Sequence, residues 1–159
     1  MTTSTRTTTV DADADLPLVR VVREFDAPPA KVFRAHTDPA LLARWFGPRD
    51  SETRFEHFDA TTGGTFRYVH VSDGDEMGAR GCFHEVRPDD VIVQTFSMDA
   101  YPDGVALERY TFEALDGGRT RLTVTTLVDS FETRDQIVAS GMEHGVREGY
   151  ERLDDLLAP

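Results

Sequence analysis

The sequence has five histidines, the residue type that most often serves as a metal ligand and as a general base near neutral pH. They are His36, His57, His70, His84 and His144. No two of them have the His-x-x-x-His spacing that places two metal ligands on one face of a helix. Each is therefore expected to be an ordinary surface or half-buried residue, and the sequence predicts neither a metal site nor another cofactor.

The other reactive groups also lack the neighbours that catalysis requires. The single cysteine, Cys82, lies in a predicted strand without a base nearby in sequence, so a buried, inert thiol is expected. Asp73, Asp75 and Glu76 lack the register of a calcium loop, which favours a solvated turn. No Gly-x-Ser-x-Gly nucleophile motif occurs. The sequence therefore shows no recognisable catalytic set.

A larger group of aromatic and apolar residues shares faces of the predicted strands and helices. Such faces are explained either by plain core packing or by the wall of a ligand cavity, and both explanations stay open. The candidates for a cavity wall are Trp45, Phe66, Tyr68, Phe83, Phe96, Met98, Tyr110, Phe112, Met142, Val146 and Tyr150.

Three glycines near the C-terminus are a second feature that either core packing or a cavity could explain. Gly141, Gly145 and Gly149 recur at intervals of four in a helical pattern. Each glycine inside a helix costs about 0.5–1 kcal/mol relative to alanine, so a compensating reason is expected. Close packing of the helix backbone on the sheet and room for another molecule are two such reasons. Trp45 has two interpretations as well: it lies near a cavity mouth, or it anchors the short helices on the sheet.

Composition limits the classes of partner. The length of 159 residues fits one domain, and the net charge of −12 disfavours nucleic acid and anionic membrane surfaces. No apolar run approaches the roughly 20 residues needed to span a bilayer, and no signal sequence is recognised. A cytoplasmic protein is therefore expected.

The elements that would position these residues follow from periodicity and turn signals. Residues 1–15 are Thr-rich and acidic and are predicted to be a disordered tail, followed by one domain over residues 16–159. A strand over 16–25 ends at two prolines, and two short helices follow, the second capped by Asp38.

Period-two alternation begins at Ser51 and predicts an antiparallel meander, with turns at Asp-Gly and Pro-Asp pairs. A long C-terminal helix is expected over residues 133–157, with a capping box formed by Thr133 and Gln136. Gly141 is expected to break or kink this helix. The fold class is therefore α+β.

This order of elements resembles the helix-grip fold, a curved antiparallel sheet of six or seven strands wrapped round a long C-terminal helix. The local sequences resemble the branch of the SRPBCC superfamily that is related to the activator of Hsp90 ATPase. The segments that carry the resemblance are Phe25-Asp26-Ala27-Pro28, Trp45-Phe46-Gly47-Pro48, Gly63-Gly64-Thr65-Phe66, Gly81-x-Phe83-x-Glu85-Val86, Gly118-x-Thr120-x-Leu122 and Gly141-Met142-x-x-Gly145. One departure is Val146, where the branch often has tryptophan.

The resemblance implies a module that binds a small apolar or aromatic ligand in a cavity between the sheet and the C-terminal helix. Its first alternative is a cyclase/aromatase-like enzyme acting on a polyketide-like substrate, for which Arg109, His70, Asp99 or Tyr110 could act in the pocket. The second is a chaperone-regulating interaction domain, disfavoured because the eukaryotic activators carry an additional N-terminal domain. A homodimer is kept as a possible assembly.

Overall fold

The computed structural model describes residues 7–159. In this part of the chain there are eight strands and four helices. In chain order they are β1 (Thr9–Ala12), β2 (Leu18–Phe25), α1 (Pro29–Thr37), α2 (Pro39–Leu42), β3 (Ser51–Phe58), β4 (Thr65–Ser72), β5 (Asp75–Arg87), β6 (Val91–Met98), β7 (Ala106–Leu115), β8 (Arg119–Leu127), α3 (Phe131–Ala139) and α4 (Met142–Leu157).

The strands form one antiparallel sheet in the order β1-β2-β8-β7-β6-β5-β4-β3. Register shifts between Phe55 and His57 and between Phe83 and Glu85 mark bulges, which bend a sheet. The curved sheet holds α1 and α4 on its inner face. The α+β helix-grip fold is therefore confirmed, although the sheet has eight strands where six or seven were predicted. None of the helices in residues 7–159 is long and apolar enough to cross a membrane.

The extra strand corrects the prediction of a disordered tail. Residues 1–6 lie outside the described part of the chain, but Thr9–Ala12 pairs with β2, so the prediction is wrong for this segment. Arg134 of α3 holds the following turn, since its Nη1 donates to the carbonyl of Asp13 at 2.8 Å. The contact of Arg134 joins segments that are distant in sequence, which local composition does not reveal.

The C-terminal segment also differs from its prediction. It forms two helices rather than one long helix over residues 133–157, although the break lies at Gly141, as predicted. The φ of Gly141, +85°, is in the left-handed region that favours glycine. The cap of α3 is Ser130 rather than Thr133: the Oγ of Ser130 accepts a hydrogen bond from the Thr133 amide at 3.1 Å. The expected cap of α2 is confirmed, because Asp38 accepts from the Ala40 amide at 3.0 Å.

The core lies between the sheet and the helices, where Phe25, Val32, Leu122 and Leu153 are almost completely buried. A buried ion pair connects the two layers. Arg23 of β2, which is 1% exposed, donates through Nη2 to Asp154 of α4 at 2.6 Å. This contact holds the C-terminal half of α4 on the sheet.

Candidate functional site

The inner face of β7, which packs towards the helices, carries two polar residues, Glu108 and Tyr110. Ala106, Glu108, Tyr110 and Phe112 share this face by strand alternation. The ring of Phe112 packs edge-on against Phe33 of α1 at 5.4 Å, which identifies the face as the inner one. A charged residue at this depth is unusual, because burial penalises the ionised form.

The carboxylate of Glu108 receives hydrogen bonds from both neighbouring strands. Gln94 of β6 donates through Nε2 to Oε1 at 3.0 Å, and Thr126 of β8 donates through Oγ1 to Oε2 at 3.3 Å. Burial raises the pKa of Glu108, while the two hydrogen bonds act in the opposite direction. Glu108 nevertheless keeps part of its surface accessible on the inner side of the sheet.

Three tyrosines from three elements lie within electrostatic range of this carboxylate: Tyr68 of β4, Tyr110 of β7 and Tyr150 of α4. Burial raises the pKa of each phenol, and the negative charge of Glu108 raises it further. None of the three hydroxyls hydrogen-bonds to another residue of the described chain, and none is completely sealed from solvent. We call Tyr68, Glu108, Tyr110 and Tyr150 the inner cluster.

His36 lies next to the inner cluster, with its ring 5.9 Å from that of Tyr110. Its Nδ1 is 2.7 Å from the carbonyl of Val32, so Nδ1 is the protonated nitrogen and Nε2 carries a lone pair. Within the described residues Nε2 has no hydrogen-bond partner. Burial lowers the pKa of His36 from 6.5 to about 4, so the ring is neutral at pH 7.

The structure brings ten of the eleven predicted wall residues into one apolar cluster, and Met98 stands outside it. Six are buried, namely Trp45, Phe66, Tyr68, Phe83, Phe112 and Tyr150. The half-buried residues are Phe96, Met98, Tyr110, Met142 and Val146. The buried ones behave as core, so only part of the predicted wall has surface to offer to another molecule.

Trp45 acts as an anchor rather than as a residue of a cavity mouth. It is 4% exposed, its Nε1 donates to the carbonyl of Ala35 at 3.0 Å, and its ring stacks on Tyr150 at 5.9 Å. One of the three predicted helix glycines, Gly149, serves the same packing. A Cβ at Gly149 would lie 3.2 Å from the carbonyl oxygen of Trp45, which supports the close-packing explanation.

Two of the four residues considered for catalysis point away from the interior. Arg109 is exposed on the outer face of β7, and Asp99 forms a two-point ion pair with Arg67 at 2.9 and 2.6 Å on the outer face. His70 is half-buried and its Nδ1 lies 2.9 Å from the Thr53 hydroxyl; burial lowers its pKa, and Arg152 lowers it further. Tyr110 alone of the four belongs to the inner cluster.

The sequence analysis missed Glu108 and Gln94 as site residues. The available signal was alternation: Glu108 is two residues before Tyr110, so both point to the same face of β7. The prediction for Cys82 was also wrong. Its thiol is exposed, because it alternates with inward-facing Phe83 on the outer side of β5.

Two open surface grooves lie away from the inner cluster. One of about 380 Å³ is lined on the outer face by Arg67, Met77 and Asp99, and one of about 170 Å³ lies beside Thr9 and Arg121. Charged residues in the first groove already pair with one another, as Arg67 does with Glu56 at 3.0 Å. Among residues 7–159, no group of histidine, cysteine and carboxylate side chains has the geometry of a metal site.

Comparisons with known proteins address the family. Residues 26–158 match the family model described as activator of Hsp90 ATPase homolog 1-like protein. No curated protein matches the chain significantly. A solution structure of a protein from Arthrobacter aurescens is 29% identical, with a TM-score of 0.85 over 98% of this chain and 92% of that one. A crystal structure of a protein from Rhodobacter sphaeroides is 26% identical, with a TM-score of 0.84 over 94% and 97% of the two chains.

A third solved structure shows the fold alone. DynU16, a protein of the dynemicin biosynthetic locus, is 24% identical and has a TM-score of 0.66. The match covers 89% of this chain and 47% of DynU16.

Proposed function

This chain belongs to the activator of Hsp90 ATPase homolog 1-like branch of the SRPBCC superfamily, and we propose that it binds one small, largely apolar molecule in its interior. The site is a chamber between the inner face of the sheet and helices α1 and α4. The inner cluster forms its deep end, and half-buried Phe96, Met142 and Val146 form its apolar wall.

The observation that carries this proposal is the set of three tyrosine hydroxyls without hydrogen-bond partners in the described residues. A buried phenol normally finds a partner, because an unmade hydrogen bond costs about 1–3 kcal/mol. Tyr68, Tyr110 and Tyr150 leave three hydroxyls open in one region. Water or a ligand in the chamber would complete their hydrogen bonds.

The apolar wall would supply most of the binding free energy. Removing apolar surface from water contributes about 25 cal/mol per Å², and the half-buried side chains still have such surface to lose. The polar atoms at the deep end would orient the ligand. This division between an apolar wall and a few polar groups is typical of small-molecule sites in proteins.

Filling the chamber tests the proposal. N-phenyl-1-naphthylamine, a neutral probe whose fluorescence rises in apolar surroundings, is expected to bind with one-to-one stoichiometry. Val146→Trp places a large side chain at the wall and is expected to weaken binding at least tenfold while thermal stability changes little, because the ring enters open space. Fluorescence titration and thermal denaturation measure the two effects.

Val138→Trp is the matched control, because Val138 is exposed on α3, away from the inner cluster. This variant is expected to bind the probe like the wild type. Overpacking of a filled core would instead cost about 1–3 kcal/mol of stability without affecting binding. That result for Val146→Trp, or a failure of the wild type to bind any apolar probe, would reject the chamber.

An enzymatic role on a polyketide-like substrate is the second candidate, and Glu108 is the observation that favours it. A buried carboxyl with a raised pKa, beside phenol hydroxyls, suits proton transfer. Incubation with a model poly-β-ketone should then give cyclised product, and Glu108→Gln should abolish the acceleration. Equal rates with and without the protein would reject the enzyme.

A further inference from the structure

We propose that the deep end of the chamber accepts an ammonium group, so that the ligand is an amine on an apolar body. This inference rests on the proposed function, because it identifies the chemical class of molecule that the same chamber takes. It starts from the charge of Glu108 and from the hydrogen-bonding character of the atoms around it.

Glu108 has no cationic partner among the described residues. Its two hydrogen-bond donors, Gln94 and Thr126, are neutral, and no positive charge contributes to its pKa shift. Elsewhere in the molecule buried charges are paired, as Arg23 is with Asp154 at 2.6 Å. An unpaired buried carboxylate is costly, and a cation supplied by the ligand would compensate it.

The neighbouring polar atoms can also receive hydrogen bonds from an ammonium group. The phenol oxygens of Tyr68, Tyr110 and Tyr150 can each accept. A primary ammonium group carries three donors, so it can donate both to the Glu108 carboxylate and to these phenol oxygens.

Two further features favour a cation over an anion. The inner cluster consists of one carboxylate and three tyrosines, and aromatic rings attract cations through their negative faces. The whole chain has a net charge of −12, which concentrates cations and repels anions near the protein. Both effects would disfavour a carboxylate ligand, because it is negatively charged.

A neutral alcohol is the main competing ligand class, since a hydroxyl can also donate to Glu108. It would leave the buried negative charge without compensation, however, so the structure favours the amine. Three probes with the same aromatic body separate these classes: 1-naphthylmethylamine, 1-naphthylmethanol and the carboxylate 1-naphthaleneacetate. At pH 7 they are cationic, neutral and anionic.

Isothermal titration calorimetry with the full chain tests the inference. The amine is expected to bind at least tenfold more tightly than the alcohol, and the acetate is expected not to bind measurably. Glu108→Gln keeps the side chain's shape and removes its charge, so it should abolish the preference for the amine over the alcohol. Glu113→Gln is the control, because Glu113 lies on the outer face of β7 and pairs with Arg121 at 3.2 Å.

The outcomes separate this inference from the proposed function. If the alcohol binds as tightly as the amine to the wild type, or if the acetate binds best, the ammonium site is wrong while the chamber stands. If all three probes fail to bind, the chamber itself is wrong. The wild-type comparison needs no variant, so it decides the matter even if Glu108→Gln folds poorly.

Discussion

At the scale of single residues, His36 connects the packing of the core to the response of the protein to acid. Its ring packs edge-on against Trp45 at 4.9 Å and against Phe112 at 5.3 Å. Desolvation in this aromatic environment disfavours the imidazolium ion and outweighs the hydrogen bond to the Val32 carbonyl. The folded protein therefore keeps His36 neutral where the unfolded chain takes up a proton.

The sign of the resulting pH dependence follows from the lowered pKa. Since the unfolded chain binds a proton near pH 6.5 and the folded protein only near pH 4, acid favours unfolding between these values. From pH 7.5 to 4.5 this group should remove about 2–3 kcal/mol of stability. His36→Phe should reduce the loss by that amount, as measured by urea denaturation at several pH values. Exposed His84 provides the control: His84→Phe should leave the pH dependence unchanged, and an equal change in both variants would contradict the assignment.

At the scale of elements, α4 shows which features of a helix are readable from sequence. The apolar stripe containing Met142, Val146 and Tyr150 predicted the face that packs on the core, and the structure has this face inward. The glycines could not be interpreted in the same way. Whether a missing Cβ makes room for a ligand or for backbone depends on what lies opposite, and residues 45–48 come from a distant part of the chain.

A matched pair of substitutions tests the packing at these glycines. At Gly145 a Cβ would meet Pro48 at 3.6 Å, an ordinary contact, so Gly145→Ala should stabilise the protein by about 0.5–1 kcal/mol through helix propensity. At Gly149 the opposing atom is the Trp45 carbonyl oxygen at 3.2 Å, and this backbone atom cannot move away as easily as a flexible side chain can. Gly149→Ala should therefore be less stable than Gly145→Ala by about 1–2 kcal/mol in thermal denaturation. The reverse order would mean that α4 shifts freely over the segment at Trp45.

At the scale of the whole molecule, the order of the elements and the family could be predicted from sequence because both depend on local signals. Turn residues, period-two strands and the amphipathic C-terminal helix each act within a few positions. The three tyrosines of the inner cluster were predicted as wall residues, but their meeting with Glu108 could not be predicted in this way. Glu108, Tyr68 and Tyr150 come from three elements, and only the curvature of the sheet brings them together. The contact of Arg134 from α3 with the turn after β1 is likewise long-range, and local composition does not predict it.

The packing of α4 on the sheet depends on a second long-range contact, between Arg23 and Asp154. Arg23 donates to both oxygens of Asp154 at 3.1 and 2.6 Å, and its guanidinium also lies over the ring of Phe25 at 4.9 Å. Asp154→Ala would leave the cation of Arg23 buried without its carboxylate, so a loss of about 3–5 kcal/mol is expected in urea denaturation. Arg23→Met combined with Asp154→Leu removes both charges and keeps apolar volume, so the double variant should recover most of that stability. If the double variant is as unstable as Asp154→Ala, the shape of this contact rather than its charge holds the helix in the sheet.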